Sequence, residues 1–120
     1  MRRGDVVLVS LDPAPHGEAA KLRPCVLVSN DGASGVAERL GRGVVTVVPI
    51  TSNVARVYPG FEVGIFDGDT LSVMGLGTPS KAQASQVRTL SIARIRGAIG
   101  HCPPAVLTEL DAAIRFHLSL

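Results

Sequence analysis

Apolar residues in this chain fall into short runs separated by turn residues. The first half contains VVLVSL at positions 6–11, CVLVS at 25–29 and VVTVV at 44–48. Short runs rich in β-branched residues and bounded by Gly, Pro, Asn or Asp are typical of buried strands. The pattern therefore predicts three strands, the first stopped by Asp12-Pro13 and the second by the turn residues Asn30-Asp31-Gly32.

Pro49 and the segments around it give weaker signals. Because proline cannot donate a ladder hydrogen bond, the third strand is expected to end, bulge or lie at a sheet edge at Pro49. Positions 61–66 and 92–99 alternate as strands do, and the apolar, glycine-rich segment 70–76 predicts a short strand after a turn at 67–69. Segment 33–40 allows a short helical turn, and segment 80–86 is ambiguous.

The C-terminal segment has a clear helical period. Pro103 or Pro104 suits the first turn of a helix. One apolar face would carry Val106, Leu107, Leu110, Ala113, Ile114, His117 and Leu118. The expected fold class is therefore mainly β with a C-terminal helix, as a small, strongly bent sheet or barrel closed by that helix.

Composition narrows the class of protein. A chain of 120 residues predicts one domain, spanning 1–120, and 46% hydrophobic residues suffice for a core. The two cysteines form no CxxC pair and no carboxylate-rich loop is present, so we expect no metal site, no cofactor and no disulfide framework. Neither a signal peptide nor an apolar run of membrane-spanning length is found, which predicts a cytoplasmic protein.

The basic residues by themselves leave a nucleic-acid ligand undecided. The net charge of +2 does not by itself indicate a nucleic-acid ligand. Arg88, Arg94 and Arg96 lie within nine residues that contain no acid. They form either part of one basic surface or three separate solvated side chains.

Two residues at the ends of predicted strands are candidates for phosphate chemistry. RNA cleavage without a metal uses the substrate's 2′-hydroxyl, and it needs a proton acceptor, a proton donor and donors around the phosphorane charge. Arg23 begins the second strand, and its planar guanidinium matches phosphate geometry. Thr51 closes the third strand, with Ser52 and Asn53 beside it. Alternatively, Arg23 is an exposed residue before a proline, and Thr51 is a turn residue that closes a strand.

Three blocks of sequence form an ordered set. They are RGDV at 3–6 with LDP at 11–13, GE at 17–18, LRP at 22–24 and VSND at 28–31; VVPITS at 47–52; and SQVRTL at 85–90 with RI at 94–95. Together they resemble the MazF/PemK family of toxins over nearly the whole chain. The resemblance implies an SH3-related, plug-like barrel, the fold shared with the gyrase poison CcdB.

The resemblance also implies an activity and partners. The protein would be the toxin of a type II toxin–antitoxin pair and a metal-independent, sequence-specific endoribonuclease acting on single-stranded RNA. Attack by the 2′-hydroxyl would leave a 2′,3′-cyclic phosphate (or 3′-phosphate) and a 5′-hydroxyl. The toxin would be a homodimer with RNA along the dimer interface and a MazE-like antitoxin as its partner.

Site residues follow from the matching positions. Arg23 and Thr51 match the family's catalytic pair, Arg23 for proton transfer and phosphorane stabilisation and Thr51 for holding the scissile phosphate. The residues expected to contact RNA or to lie near it are His16, Glu18, Asn30, Ser52, Asn53 and Gln86. His16 departs from the Gly-Ser-Glu loop of many members, and we expect it to contact RNA or to assist proton transfer. Because the chain has one Tyr, three Phe and no Trp, recognition is expected to rely mainly on arginine, amide and backbone contacts.

Two other functions use the same fold. One is a CcdB-like protein that poisons a topoisomerase without enzymatic activity, which would not need a phosphate-binding pair at Arg23 and Thr51. The other is a module that binds RNA without cutting it.

Overall fold

The computed structural model describes residues 1–11 and 21–120. Seven strands and three helices follow one another in this part of the chain. They are β1 (Asp5–Ser10), β2 (Leu22–Leu27), α1 (Asp31–Leu40), β3 (Val44–Thr51), β4 (Glu62–Ile65), α2 (Gly68–Val73), β5 (Ser80–Gln83), β6 (Arg88–Ser91), β7 (Ile95–His101) and α3 (Pro104–Leu118). Single 3-10 turns cover Ala84–Gln86 and Ile92–Arg94.

The strands form one antiparallel sheet organised around β3. Its order is β4-β5-β3-β2-β1-β7, and β6 pairs with β3 outside this path. Residues 44–47 of β3 pair with β6, whereas Ile50 and Thr51 pair with β5. Pro49 lies between these two stretches. The strand therefore continues through Pro49 instead of ending there, and the missing N–H donor falls where β3 changes partner.

Alternate residues of the central strands contribute to two separate cores. The core that includes α2 and α3 contains Val6, Val26, Val48, Ile50, Val63, Ile65, Leu71, Met74, Ala82, Ala84, Cys102, Leu110 and Ala113. The core that includes α1 contains Val7, Val9, Leu11, Cys25, Leu27, Ala37, Val45, Val47 and Leu90. Strands that are covered on both faces have continuous apolar runs, which explains why the first three runs lack polar alternation.

The structure confirms the predicted fold class, mainly β with a C-terminal helix. The strands predicted at 6–11, 25–29, 44–48 and 61–66 correspond to β1, β2, β3 and β4. Strand β2 begins at Leu22, earlier than predicted, because β1 still pairs with Arg23 and Pro24. The predicted C-terminal helix is α3, which has proline in its first turn and buries Leu110 and Ala113.

The predicted short strand at 70–76 is wrong, because this segment contains most of helix α2. The turn expected at 67–69 is the start of that helix. Asp67 Oδ2 accepts hydrogen bonds from the backbone N–H and the hydroxyl of Thr70, both at 3.0 Å. Leu71 and Met74, three residues apart, then reach the same core. An N-cap and one helical contact thus outweigh the apolar, glycine-rich pattern from which a strand was predicted.

The turn residues 30–32 also begin a helix. Asn30 is the N-cap of α1, and its Oδ1 accepts a hydrogen bond from Ala33 N–H at 2.7 Å. The helix runs for ten residues and ends at Gly41, which has φ +66°. The short helical turn expected at 33–40 is therefore a complete helix, capped at both ends.

Candidate active site

The register of β2 and β3 brings the two catalytic candidates together. Their last paired residues are Cys25 and Pro49. Because paired positions move in opposite directions along antiparallel strands, two further steps would set Arg23 opposite Thr51. The ladder stops short of that pair. The next hydrogen-bonded pair would be Pro24 with Ile50, and Pro24 has no N–H to donate, so the strands are joined only as far as Cys25 and Pro49.

A cleft of about 420 Å³ opens at this point. Its lining residues are Leu8, Lys21, Leu22, Arg23, Pro24, Ile50, Thr51, Ser52, Gly75, Leu76, Gly77, Thr78, Ser80 and Ile99. The cleft contains both catalytic candidates and Ser52. Its charged side chains, Lys21 and Arg23, are both cationic, so an anionic ligand is favoured.

Arg23 is half-buried and keeps its charge available. Among residues 1–11 and 21–120, no acceptor or carboxylate pairs with its guanidinium. Its backbone carbonyl accepts a weak S–H hydrogen bond from Cys25 at 3.8 Å. Burial raises the pKa of that thiol to about 12, against the opposing positive charges of Arg88 and Arg23. Both guanidinium groups are thus close enough to act on one buried sulfur, and Cys25 is a neutral thiol at physiological pH.

Thr51 closes its strand through a side-chain hydrogen bond and still has a hydroxyl hydrogen available for a ligand. Its Oγ1 accepts a hydrogen bond from Asn53 N–H at 3.2 Å, which closes the strand with a side-chain turn. Because this contact uses the hydroxyl as an acceptor, its hydrogen remains available for a phosphate oxygen. Asn53 is exposed, and its Oδ1 is 3.5 Å from Ala55 N.

The remaining predicted contacts lie elsewhere. Asn30 caps α1 beyond the far end of β2, and Gln86 is exposed in the 3-10 turn before β6. Neither residue lines the cleft. His16 and Glu18 lie outside the described residues. The RNA-contact roles of all four stay predictions.

Three arginines near the C-terminal strands have different surroundings. Arg94 Nη1 donates to the carbonyls of Ser10 at 2.9 Å and Leu11 at 3.4 Å. Arg96 donates to the Ala93 carbonyl within its own turn. The charge of Arg88 acts on the Cys25 thiol, as the charge of Arg23 does. The described structure therefore favours three separate arginines over one continuous basic surface.

The loop after α2 forms a wall of the cleft that the sequence did not suggest. Gly75 has φ +74°, and a Cβ at this position would collide with the Ile99 carbonyl. Glycine is therefore required for the close approach of this loop to β7. Gly75 and Gly77 were the sequence signal for this wall, but Gly75 lies in the segment 70–76 that was predicted as a strand.

The described residues contain neither a metal-binding cluster nor a membrane-spanning helix. No group of three or more His, Cys, Asp or Glu side chains there is placed to hold a metal ion. None of the helices in residues 1–11 and 21–120 is long and apolar enough to cross a membrane.

A family model matches residues 2–118 of this chain. Its description is PemK-like, MazF-like toxin of type II toxin–antitoxin system. The match spans both strands of the cleft and the closing helix α3.

Individual relatives agree with the family match. Endoribonuclease MazF9 of Mycobacterium tuberculosis is 48% identical over 120 residues, which cover 100% of this chain and 98% of that protein. The structure of MazF from Deinococcus radiodurans is 25% identical, with a TM-score of 0.74 and coverage of 100% and 97%. An endoribonuclease in complex with its cognate antitoxin, from a mycobacterial species, is 22% identical, with a TM-score of 0.70 and coverage of 100% and 96%. The two structural matches confirm the expected plug-like fold.

Proposed function

Because this chain belongs to the PemK-like, MazF-like toxins of type II toxin–antitoxin systems, we propose that it is a sequence-specific endoribonuclease that cuts single-stranded RNA. One observation supports this function above the others. Arg23 and Thr51 line the same cleft, and the Arg23 guanidinium has no partner among the described residues. A cation and a hydroxyl donor at an open, positively charged cleft suit a phosphodiester.

The reaction proceeds by attack of the substrate's 2′-hydroxyl on the adjacent phosphorus. Thr51 donates its hydroxyl hydrogen to a non-bridging oxygen and holds the phosphate. Arg23 stabilises the phosphorane charge through its planar fork and supplies a proton as the 5′-oxygen leaves. The products are a 2′,3′-cyclic phosphate (or 3′-phosphate) and a 5′-hydroxyl.

The 2′-hydroxyl proton needs an acceptor. The described lining of the cleft has neither a carboxylate nor an imidazole. In the sequence, segment 12–20 directly precedes Lys21, which lines the cleft, and this segment contains His16 and Glu18. We assign the acceptor role to one of these two residues.

The biological partners follow from the relatives. The structure of a mycobacterial relative contains its cognate antitoxin. By analogy, this toxin acts in the cytoplasm as a homodimer that a MazE-like antitoxin neutralises. A CcdB-like poison is not favoured, because the family model and the curated relative both indicate a MazF-type toxin.

Incubation of the purified protein with a long RNA in EDTA tests the enzyme directly. The expected fragments have 5′-hydroxyl ends and are formed about 10²- to 10³-fold more slowly with Arg23→Ala, and slowly with Thr51→Val. Circular dichroism of both variants controls for folding. Absence of cleavage of every RNA tried would refute the nuclease, and RNA binding without cleavage would indicate the RNA-binding module instead.

Replacement of the two loop residues identifies the proton acceptor. The variant that loses the acceptor should lower the cleavage rate and remove the acidic limb of its pH profile. If His16→Ala leaves both unchanged, the role of His16 is wrong and Glu18→Gln should show the effect.

A further inference from the structure

Tyr58 is held in a fixed position in the loop between β3 and β4. Its backbone N–H donates to Glu62 Oε1 at 2.9 Å. Its carbonyl accepts hydrogen bonds from Phe61 N–H at 3.2 Å and Glu62 N–H at 3.0 Å. These contacts close a turn directly before β4 and fix where the tyrosine side chain begins.

A buried ion pair lies beneath the ring. Lys81 Nζ is 2.9 Å from Glu62 Oε1 and 2.6 Å from the Arg56 carbonyl oxygen, and the two paired side chains are only 9% and 5% exposed. The same ammonium is 5.8 Å from the centroid of the Tyr58 ring. Because Lys81 is buried and the tyrosine is 50% exposed, the side of the ring toward Lys81 is the covered one.

Arg56 approaches Tyr58 at the hydroxyl end. Its Nη1 is 3.4 Å from the tyrosine oxygen, whereas its guanidinium carbon is 5.8 Å from the ring centroid. The arginine thus contacts both the hydroxyl and the ring, and the tyrosine is still 50% exposed, so part of the ring surface remains accessible. An aromatic face with a cation at its edge suits a nucleobase and the neighbouring phosphate.

The ring is linked to the cleft through one side chain. Lys81 is the direct cross-strand partner of Thr51 in the ladder between β3 and β5. Because directly paired residues project from the same face of a sheet, the Lys81 side chain leads from the position beside Thr51 to the ring of Tyr58. A single strand of RNA held at Thr51 can therefore extend over this face toward Tyr58.

We propose that Tyr58 is a stacking site for an unpaired base of the RNA substrate, held in place by Lys81 and Glu62. This inference rests on the proposed ribonuclease function and adds a substrate-binding residue to it. Stacking adds one aromatic contact to the arginine and amide contacts expected from the sequence. A pyrimidine or purine can stack there, and the preferred base follows from the contacts at its edge.

The composition of the chain makes the test direct. Tyr58 is the only tyrosine and there is no tryptophan, so it is the sole source of the fluorescence expected near 300 nm. Cleavage sites are first mapped on a long RNA with the wild-type protein. A short RNA around one site, with a 2′-O-methyl group at the scissile nucleotide, then serves as a non-cleavable ligand. Free N-acetyltyrosinamide in the same titration corrects for absorption by the RNA.

Binding should quench the Tyr58 emission and saturate at the affinity measured by anisotropy of a labelled RNA. Tyr58→Phe keeps the ring and should bind within about twofold of wild type, whereas Tyr58→Leu should lose about 5- to 150-fold in affinity. Equal affinity of the Phe and Leu variants, with wild-type cleavage intact, overturns the stacking site alone. Failure of the wild-type protein to cut or bind any RNA overturns the proposed function as well.

Discussion

Arg23 and Lys81 are two cations on either side of Thr51, and the structure uses them differently. Lys81 pairs with Thr51 across the ladder of β3 and β5, and its ammonium is satisfied by a carboxylate and a carbonyl. Arg23 approaches Thr51 from β2, where the ladder has stopped, and has no such partner in the described structure. The two cations differ in burial. A buried charge must be paired, whereas a charge at an open cleft can stay unpaired in water until a ligand binds.

Loss of Lys81 should have the largest effect on stability. Lys81→Ala leaves the Glu62 carboxylate buried without its cation, which costs about 3–5 kcal/mol of unfolding free energy. Urea denaturation followed by circular dichroism measures this cost. The matched control is Lys81→Met with Glu62→Leu, which removes both charges and should recover most of the stability. A loss below about 1 kcal/mol would show that the pair behaves as a surface ion pair.

Replacement of Arg23 should lower the cleavage rate and leave the free energy of unfolding almost unchanged. Arg23→Ala should lower the cleavage rate by about 10²- to 10³-fold, the usual effect of removing one donor to a transition-state charge. Its unfolding free energy should stay within about 0.5 kcal/mol of wild type, because no described partner is lost. Arg23→Lys keeps the charge without the planar fork and should be intermediate in rate. A large loss of stability in Arg23→Ala would contradict the contrast with Lys81.

Acid should remove the contribution of the buried pair. Burial alone would raise the pKa of Glu62, but hydrogen bonds from Tyr58 and Lys81 and the lysine charge lower it below its ordinary value of 4.5. A carboxyl whose pKa is lowered by folding stabilises the fold above its unfolded pKa, and this contribution is lost as pH falls through the folded value. The stability of wild type relative to the Lys81→Met, Glu62→Leu control should therefore fall below about pH 4.5. A difference that is constant from pH 7 to pH 3 would rule out this linkage.

Replacement of Asn30 should have the smallest effect on stability, and it tests whether this side chain only caps α1 or also contacts RNA. Asn30→Ala removes the N-cap of α1 and should cost about 1 kcal/mol, whereas Asn30→Asp keeps a good cap. Thermal unfolding measures the difference. If Asn30 also contacts RNA, Asn30→Asp should weaken RNA binding while the stability stays close to wild type.

The sequence predicted the helices and strands better than it predicted which distant residues contact one another. Apolar runs and one helical stripe are local signals, so β1, β3 and α3 were found from them. The pair Lys81 and Glu62 is separated by 19 positions and becomes visible only through the register of β4 and β5. The helix α2 was missed because the capping role of Asp67 outweighs the apolar, glycine-rich pattern that predicted a strand. Asn30 was predicted as a turn residue because asparagine suits both turns and helix N-caps.

The candidate site was predicted in part for a related reason. Arg23 and Thr51 were singled out by residue type and by the family resemblance. Their meeting in one cleft depends on a strand register that no local pattern encodes. The glycine-rich wall at 75–78 was missed because its role comes from the approach of β7, which is distant in sequence.

Pro24, at the end of the β2–β3 ladder, makes the separation of the two strands part of the site, beside its chemical groups. A residue with an N–H at position 24 would allow the strands to join further, toward the positions of Arg23 and Thr51. The same side chains would then face each other across a closed seam, without room for a phosphate between them. The variant Pro24→Val can therefore retain every catalytic group and still be a poorer nuclease, because it adds a hydrogen bond between the strands.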